Sequence, residues 1–520
     1  MDLSLPDDAA RKGAVVFVVD GVNTDIFHQM LTDGELPAIR KYFVERGLYV
    51  RRASINTPSV TLANLTTLVT GVAPGHHGVV GINWFDRNQL IWRDYATISQ
   101  KNKLDEDYTA TTLFQHFPAE STYSIFLQPH RGATKFFENT LSNGPAYFFG
   151  MYKTMDCTTL FRLGQVADLA RARNAWPAVV VCYLLAPDFH AYRSGLTSDA
   201  YREALIHTDM QLGRVMADFE RAGMLDELVF VLTSDHGMVN VTKHFPLARF
   251  LVQDCGLDLS PQRLWENTPF EKRLIAYRQY NAVENLCGER YAAISLRKPT
   301  RREGVVVGYE PWNIRPTMTD LLAYPVGVGG VASLPARLVA QEAVLAVAFS
   351  AGPDRVRVMT DKGTVQFEQP DGPGGKITYH VADGEDPLGW AQSVPAELLS
   401  GEPGSPTAWR HATAGLDFAD APMQLLAYFR SRMAGDIAVF ADEPWDFNSS
   451  KRAGHGSLLA EELHVPLLIT GPSIQAGTRL ECASTMDLAP TILSMLGKPI
   501  PAGLDGQPLP IEGAIPPTGP

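Results

Sequence analysis

The sequence predicts an α/β sandwich around a mostly parallel sheet, with a β-containing inserted cap. Three observations predict it. Ala14–Val19 (AVVFVV), Ala178–Leu185 (AVVVCYLL) and Leu228–Leu232 (LVFVL) are continuous apolar runs rich in β-branched residues, the pattern of strands buried on both faces. Helical patterns alternate with them, above all Ser198–Ala222, with Leu205, Met210, Leu212, Val215, Met216 and Phe219 expected on one side. After about residue 245 the texture changes to short alternating runs punctuated by turns.

Each apolar run delivers an acid at its C-terminal end: Asp20-Gly21, Pro187-Asp188 and Thr233-Ser234-Asp235-His236-Gly237. In open parallel sheets the site lies outside the carboxyl ends of the strands, so all three acids are expected at one edge.

In chain order, Asp25–Leu31 and Leu36–Arg46 read as helical. A further helix is expected from Thr61, because Leu62, Leu65, Leu68 and Val69 recur at helical spacing and Gly71 and Pro74 stop the run. Thr61 is expected as its N-cap, with free backbone N–H groups just beyond. A hydroxyl there faces the positive end of the helix dipole, which suits an oxygen that carries negative charge or approaches a phosphate. Tyr123–Leu127 reads as a short strand.

Between residues 246 and 435, Tyr309–Pro335 is rich in Pro and Gly, Val356–Met359, Thr364–Phe367 and Lys376–Val381 read as hairpin strands, and Pro395–Thr407 is a polar link. The α/β pattern returns at Ile437–Phe440 and Val465–Ile469 and closes with a helix over Met486–Leu496. A discontinuous core is therefore expected over 1–245 and 436–520, with 246–435 as a cap that sets substrate choice.

At 520 residues the chain exceeds the usual single core, and its 45% hydrophobic and 20% charged content is that of an ordinary soluble enzyme. The net charge of −12 argues against duplex nucleic acid as a partner. It leaves room for an anionic small molecule, because bound cations reverse the sign locally. The five cysteines are scattered without a CxxC pair, which favours a reducing compartment. No stretch approaches the roughly 20 apolar residues that span a bilayer, and the acidic leader MDLSLPDDAARKG lacks the pattern of a signal peptide. A cytoplasmic protein without a membrane partner is expected. The oligomeric state is left open, a homodimer being one arrangement the sequence permits.

Asp20, Asp188, Asp235, His236 and His455 (in Gly454-His455-Gly456) form a carboxylate and imidazole set suited to Zn²⁺, or less selectively to Mn²⁺ or Fe²⁺. Beside them stands Thr61 as a candidate nucleophile.

These pieces resemble the alkaline phosphatase superfamily, nearest the type I phosphodiesterase/nucleotide pyrophosphatase branch and its phosphonoacetate hydrolase relatives. The matching stretches are FVVDGVN at 17–23, TLANLTTLVTG at 61–71 with PGHHG at 74–78, PD at 187–188, TSDHGM at 233–238 and GHGS at 454–457. LLITGP at 467–472 and MDLAPTILSMLGKPIP at 486–501 resemble the superfamily's ending.

The resemblance implies an alkaline-phosphatase-like sandwich and a two-metal hydrolase of phosphate diesters or related phosphorus esters. By position, Asp20, Asp235 and His236 would hold one metal that Thr61 also touches, and Asp188 and His455 the second. The family's third ligand stands four residues after the equivalent of Asp188, where this chain has Tyr192; a histidine, His190, comes two residues early. His190 swinging in, Tyr192 ligating through its phenolate and a weakened second site are the three outcomes. His190 is favoured, imidazole being the better ligand at neutral pH.

Thr61 would attack phosphorus in line, and water would hydrolyse the phospho-threonine. Asn64, one turn on, would donate its amide to a non-bridging oxygen. A C–P hydrolase of the phosphonoacetate hydrolase type is the alternative within enzymes, and an inactive binding or scaffold protein the alternative outside them. Thr61 at the nucleophile position and the lack of a CxPxR stretch argue against the formylglycine route to sulfate esters. His76 and His77 are expected as turn and packing residues.

Overall fold

Ala14–Val19 lies inside a seven-stranded sheet of the computed structural model, paired in parallel with Val179–Leu184 on one side and Val229–Thr233 on the other. The structure describes residues 1–511 apart from 98, 139–145, 147–148, 328–329, 448–449 and 481. The strand order is Leu48–Ser54, His464–Thr470, Val229–Thr233, Ala14–Val19, Val179–Leu184, Thr122–Ile125 and Lys135–Phe137. The last five run parallel, and His464–Thr470 joins antiparallel to both its neighbours.

The apolar runs are continuous because both sheet faces are covered. Ala14, Val16 and Val18 enter one hydrophobic cluster and Val15, Phe17 and Val19 another, as the two-residue repeat of a strand requires. On the second face, the helix Asp199–Arg221 buries Leu205, Leu212, Val215, Met216 and Phe219. Met210 leaves that stripe and is 43% exposed. The segment expected as one helix over Leu36–Arg46 is a short α-turn, Pro37–Ile39, continued by a π-helix over Arg40–Val44.

A second seven-stranded sheet has the order Ala282–Cys287, Tyr291–Leu296, Ile437–Ala441, Val344–Gly352, Arg355–Thr360, Gly363–Glu368 and Thr378–Gly384. It is antiparallel throughout. Ile437–Phe440 was expected to mark the return of the parallel core; its strand instead sits inside this second sheet, between Tyr291–Leu296 and Val344–Gly352. An apolar five-residue run is the same signal for a buried strand in either sheet, so its sheet is not readable locally. Its neighbours are joined to it by Arg290, whose guanidinium is fully buried and pairs with Glu462 while donating to the Ala441 and Asp442 carbonyls.

Among the described residues, no helix is long and apolar enough to cross a membrane.

Candidate metal centre and catalytic site

The three acids do meet at one edge of the parallel sheet. Asp20 follows its strand directly, and Gly21 then turns the chain with φ +68°; a Cβ there would lie 2.8 Å from Asp188 Cα, so only glycine lets the two strand ends approach so closely. Asp188 sits in the first turn of the helix Ala186–Ser194, with Pro187 at its start. That helix start is anchored by buried Asp156, which accepts from Leu185 N at 2.8 Å and Ala186 N at 3.2 Å. Burial lifts the Asp156 carboxyl to about 7.

Two groups of ligand atoms result, Asp20 with Asp235 and His236, and Asp188 with His236 and His455; all are buried. His236 Nδ1 faces the Gly237 carbonyl at 3.1 Å and His455 Nδ1 the Ser59 carbonyl at 2.7 Å. Each carbonyl can only accept, so both imidazoles carry the proton on Nδ1 and turn Nε2 inward, the arrangement of a metal-ligating histidine. The two rings stack with centroids 3.5 Å apart.

The donor chemistry fits divalent cations. Asp20 Oδ1, Asp188 Oδ1 and Asp235 Oδ2 are buried without a hydrogen bond; the single His236 imidazole, 3.3 Å from Asp20 Oδ1 and 3.7 Å from Asp235 Oδ2, is too little positive charge for three carboxylates, a costly state unless a cation meets them. Burial, reinforced by neighbouring Asp20, pushes the Asp188 and Asp235 carboxyls well above the usual range. Burial works against charge on His236, but Asp235, Asp20 and Asp188 outweigh it and raise the imidazole to about 10. Burial, with His236 beside it, drives His455 well below its ordinary value.

Thr61 opens the helix Thr61–Thr70 but does not cap it: Val60 is the N-cap residue, and no side chain caps this helix. The hydroxyl faces His236 Nε2 at 3.1 Å instead. Thr61, Asp20, Asp188 and His455 all border one cavity of about 420 Å³, which is also lined by Leu286 and Cys287 of the second sheet and by Gly288 and Glu289 in the turn that follows.

Two expected site residues lie elsewhere. Asn64 is fully buried and spent on the loop before Thr61: Nδ2 donates to the Asn56, Pro58 and Val60 carbonyls at 3.1–3.2 Å, and Oδ1 accepts from Asn56 N at 2.8 Å. Its side chain points back along the helix, as helical side chains do, and so braces the loop rather than reaching the cavity. His190 is outside both ligand groups, its ring set edge-on to Tyr152 with centroids 6.0 Å apart. On a helix, residues two apart diverge while residues four apart share a face. Tyr192 therefore takes the side of Asp188, lines the cavity and stands 5.7 Å from the His455 ring.

Asn83, Tyr183 and Lys451 also line the cavity, and none was singled out from the sequence. Asn83 starts the short strand Asn83–Asp86, with no apolar periodicity to mark it. The Tyr183 hydroxyl donates to Asp20 Oδ2. Strand alternation places Tyr183 on the face shared by Val181, the one readable signal among the three. His77 is buried between Thr67 and Val79, and exposed His76 faces Asp505.

The family model for type I phosphodiesterase / nucleotide pyrophosphatase matches residues 14–297. The chain belongs to that family.

Among curated members of the family, it is 23% identical to ectonucleotide pyrophosphatase/phosphodiesterase family member 3 of Rattus norvegicus, over 45% of this chain and 26% of the relative. It is 20% identical to a bis(5'-adenosyl)-triphosphatase of Mus musculus, over 50% of this chain and 54% of the relative. The chain thus spans only a quarter to a half of the length of these family members. Human ectonucleotide pyrophosphatase/phosphodiesterase 5 shares its fold, with a TM-score of 0.55 at 15% identity over 94% of this chain and 95% of that one. An inactive variant of the murine protein, in complex with AMP, matches with a TM-score of 0.54 at 15% identity over 94% of this chain and 96% of its own. The shared architecture is the family's alkaline-phosphatase-like sandwich.

Proposed function

We propose that the chain is a metal-dependent hydrolase of phosphate diesters and related phosphorus esters that works through a phospho-threonine on Thr61. One observation carries the reading: the Thr61 hydroxyl, unused by its helix, borders a cavity beside three buried carboxylates with unpartnered oxygens. Cations held by Asp20, Asp235 and His236 and by Asp188 and His455 would offset phosphoryl charge and favour the ionised forms of the Thr61 hydroxyl and of water. Zn²⁺ suits this donor set best and Mn²⁺ next.

The chain's own contribution is placement. Thr61 Oγ1 forms the bond to phosphorus while the bond to the leaving ester oxygen breaks, and water then cleaves the Oγ–P bond. The helix starts at Thr61, so the unpaired N–H groups of its first turn lie beside the reacting hydroxyl and favour an anion there. Asn83 replaces Asn64 as the candidate amide donor: it borders the cavity with Thr61, and its Nδ2, which gives one N–H to the Leu286 carbonyl at 2.9 Å, carries a second. Leu62, Leu65, Phe126 and Phe189 give the cavity apolar walls for the organic part of a substrate. The names of the relatives make nucleotide-like diesters the first substrates to try.

The test is hydrolysis of paired aryl phosphate mono- and diesters, before and after chelation, with Thr61→Ala alongside. Diester turnover that is sensitive to chelator and absent in Thr61→Ala supports the reading. Release of phosphate from a phosphonate, with both esters untouched, would replace it by C–P cleavage. Failure on all three with metal loaded would favour a binding protein.

A further inference from the structure

We infer that the centre holds its two cations unequally: one firmly between Asp20, Asp235 and His236, the other loosely at Asp188 and His455, where Tyr192 and Lys451 stand in the place of a third ligand. The inference rests on the two-cation reading above and goes beyond it.

His236 belongs to both ligand groups, but it has one ligating atom to give. Its Nδ1 is engaged with the Gly237 carbonyl, which leaves Nε2 alone, and one lone pair serves one cation. That atom lies 3.3 Å from Asp20 Oδ1, 3.7 Å from Asp235 Oδ2 and 3.1 Å from Thr61 Oγ1. It therefore joins the first group, which then offers two carboxylates, an imidazole and a hydroxyl: four donors and two negative charges for one dication.

The second group keeps one carboxylate and one imidazole, two donors short of a tetrahedral shell, because Glu289, the other carboxylate on this side of the cavity, lies outside both ligand groups. The phase of the helix Ala186–Ser194 decides what comes next, and it brings forward Tyr192, a residue whose neutral phenol is a poor ligand beside imidazole. Lys451 makes the position worse for a cation. Its ammonium lies 4.7 Å from the centre of the Tyr192 ring and borders the same cavity as Asp188 and His455. A fixed positive charge at this edge repels an incoming dication while attracting the anionic substrate. The second cation is thus held largely by what the substrate contributes, and the first is resident.

Calorimetric titration of the metal-free full chain with Zn²⁺ tests this, paired with metal analysis after desalting. The wild type should retain about one ion per chain and bind a second at least about 100-fold more weakly. Tyr192→His should tighten the second step by about 10–100-fold and raise retention towards two, as a supplied ligand does. Lys451→Met keeps the apolar stem, loses the charge and should tighten the second step alone, by about tenfold. Two ions retained by the wild type in one binding step would overturn the inference, as would a second step unmoved in both variants. If the wild type binds no Zn²⁺ at all, the two-cation reading falls with it, so the two failures are told apart.

Discussion

Thr61 Oγ1 lies 3.1 Å from His236 Nε2 although 175 positions separate them in the chain. The contact joins a helix start to a strand end, and both are fixed by packing: Leu62, Leu65, Leu68 and Val69 seat the helix in one core cluster, and His236 is fully buried. The helix itself makes no use of the hydroxyl as a cap.

Thr61→Ala should therefore leave the fold intact and remove turnover. The expected change is under about 0.5 kcal/mol in stability and a loss of at least about 10³-fold in kcat. Denaturant titration and steady-state assay of one aryl diester check both, and a variant that keeps its activity would remove Thr61 from the reaction.

Asn64 and Asn83 should separate stability from catalysis. Asn64→Ala strips four buried hydrogen bonds from the loop before Thr61 and should cost about 2–4 kcal/mol. Asn83→Ala should cost about 1 kcal/mol and lower kcat about 10²-fold. Should Asn64→Ala slow turnover at unchanged stability, the amide-donor role would return to Asn64.

Chelation should lower the melting temperature as well as the activity. Without a cation, Asp20, Asp188 and Asp235 face one another with unpartnered oxygens, and a ligand that binds only the folded state stabilises it by mass action. Thermal melts before chelation, after it and after return of Zn²⁺ test this; a melt that ignores verified metal removal contradicts it.

Acid should weaken the fold through His77. Burial lowers this imidazole from 6.5 to about 3. Its Nδ1 accepts from Val79 N at 3.1 Å, so its neutral form is the one the fold uses. A depressed imidazole contributes stability that is present above its unfolded value of 6.5 and lost as pH falls towards 3. The loss should reach about 2 kcal/mol by pH 5. Denaturant midpoints at pH 7 and pH 5 measure it, and His77→Gln should flatten the difference; an equal slope in that variant would assign the acid sensitivity elsewhere.

What could be read from the sequence follows the range of each signal. The strands ending at Asp20, Asp188 and Asp235 were legible because a strand covered on both faces writes itself as an unbroken apolar run, and its end is where a parallel sheet keeps its site. The helix Tyr152–Arg173 was not, because Asp156, Thr158 and Thr159 interrupt a stripe in which Met155, Leu163, Val166 and Ala170 do the packing. Asn64 stands on the expected helix with an unexpected partner, since the fold-back of the loop at 56–60 over it is set by hydrogen bonds that no periodicity announces. His190 has the better ligand chemistry, whereas Pro187 marks the start of a helix whose phase turns it away from Asp188. Asn83 and Lys451 arrive through loops and short strands, where no periodicity announces a position.

The Ser59 carbonyl holds His455 across 396 positions, and its hydroxyl donates to the Ser457 carbonyl. The loop that leads into Thr61 and the loop that carries His455 are therefore one mechanical part, although 396 positions separate them. Anything that shifts either loop therefore shifts both the start of the Thr61 helix and the His455 imidazole.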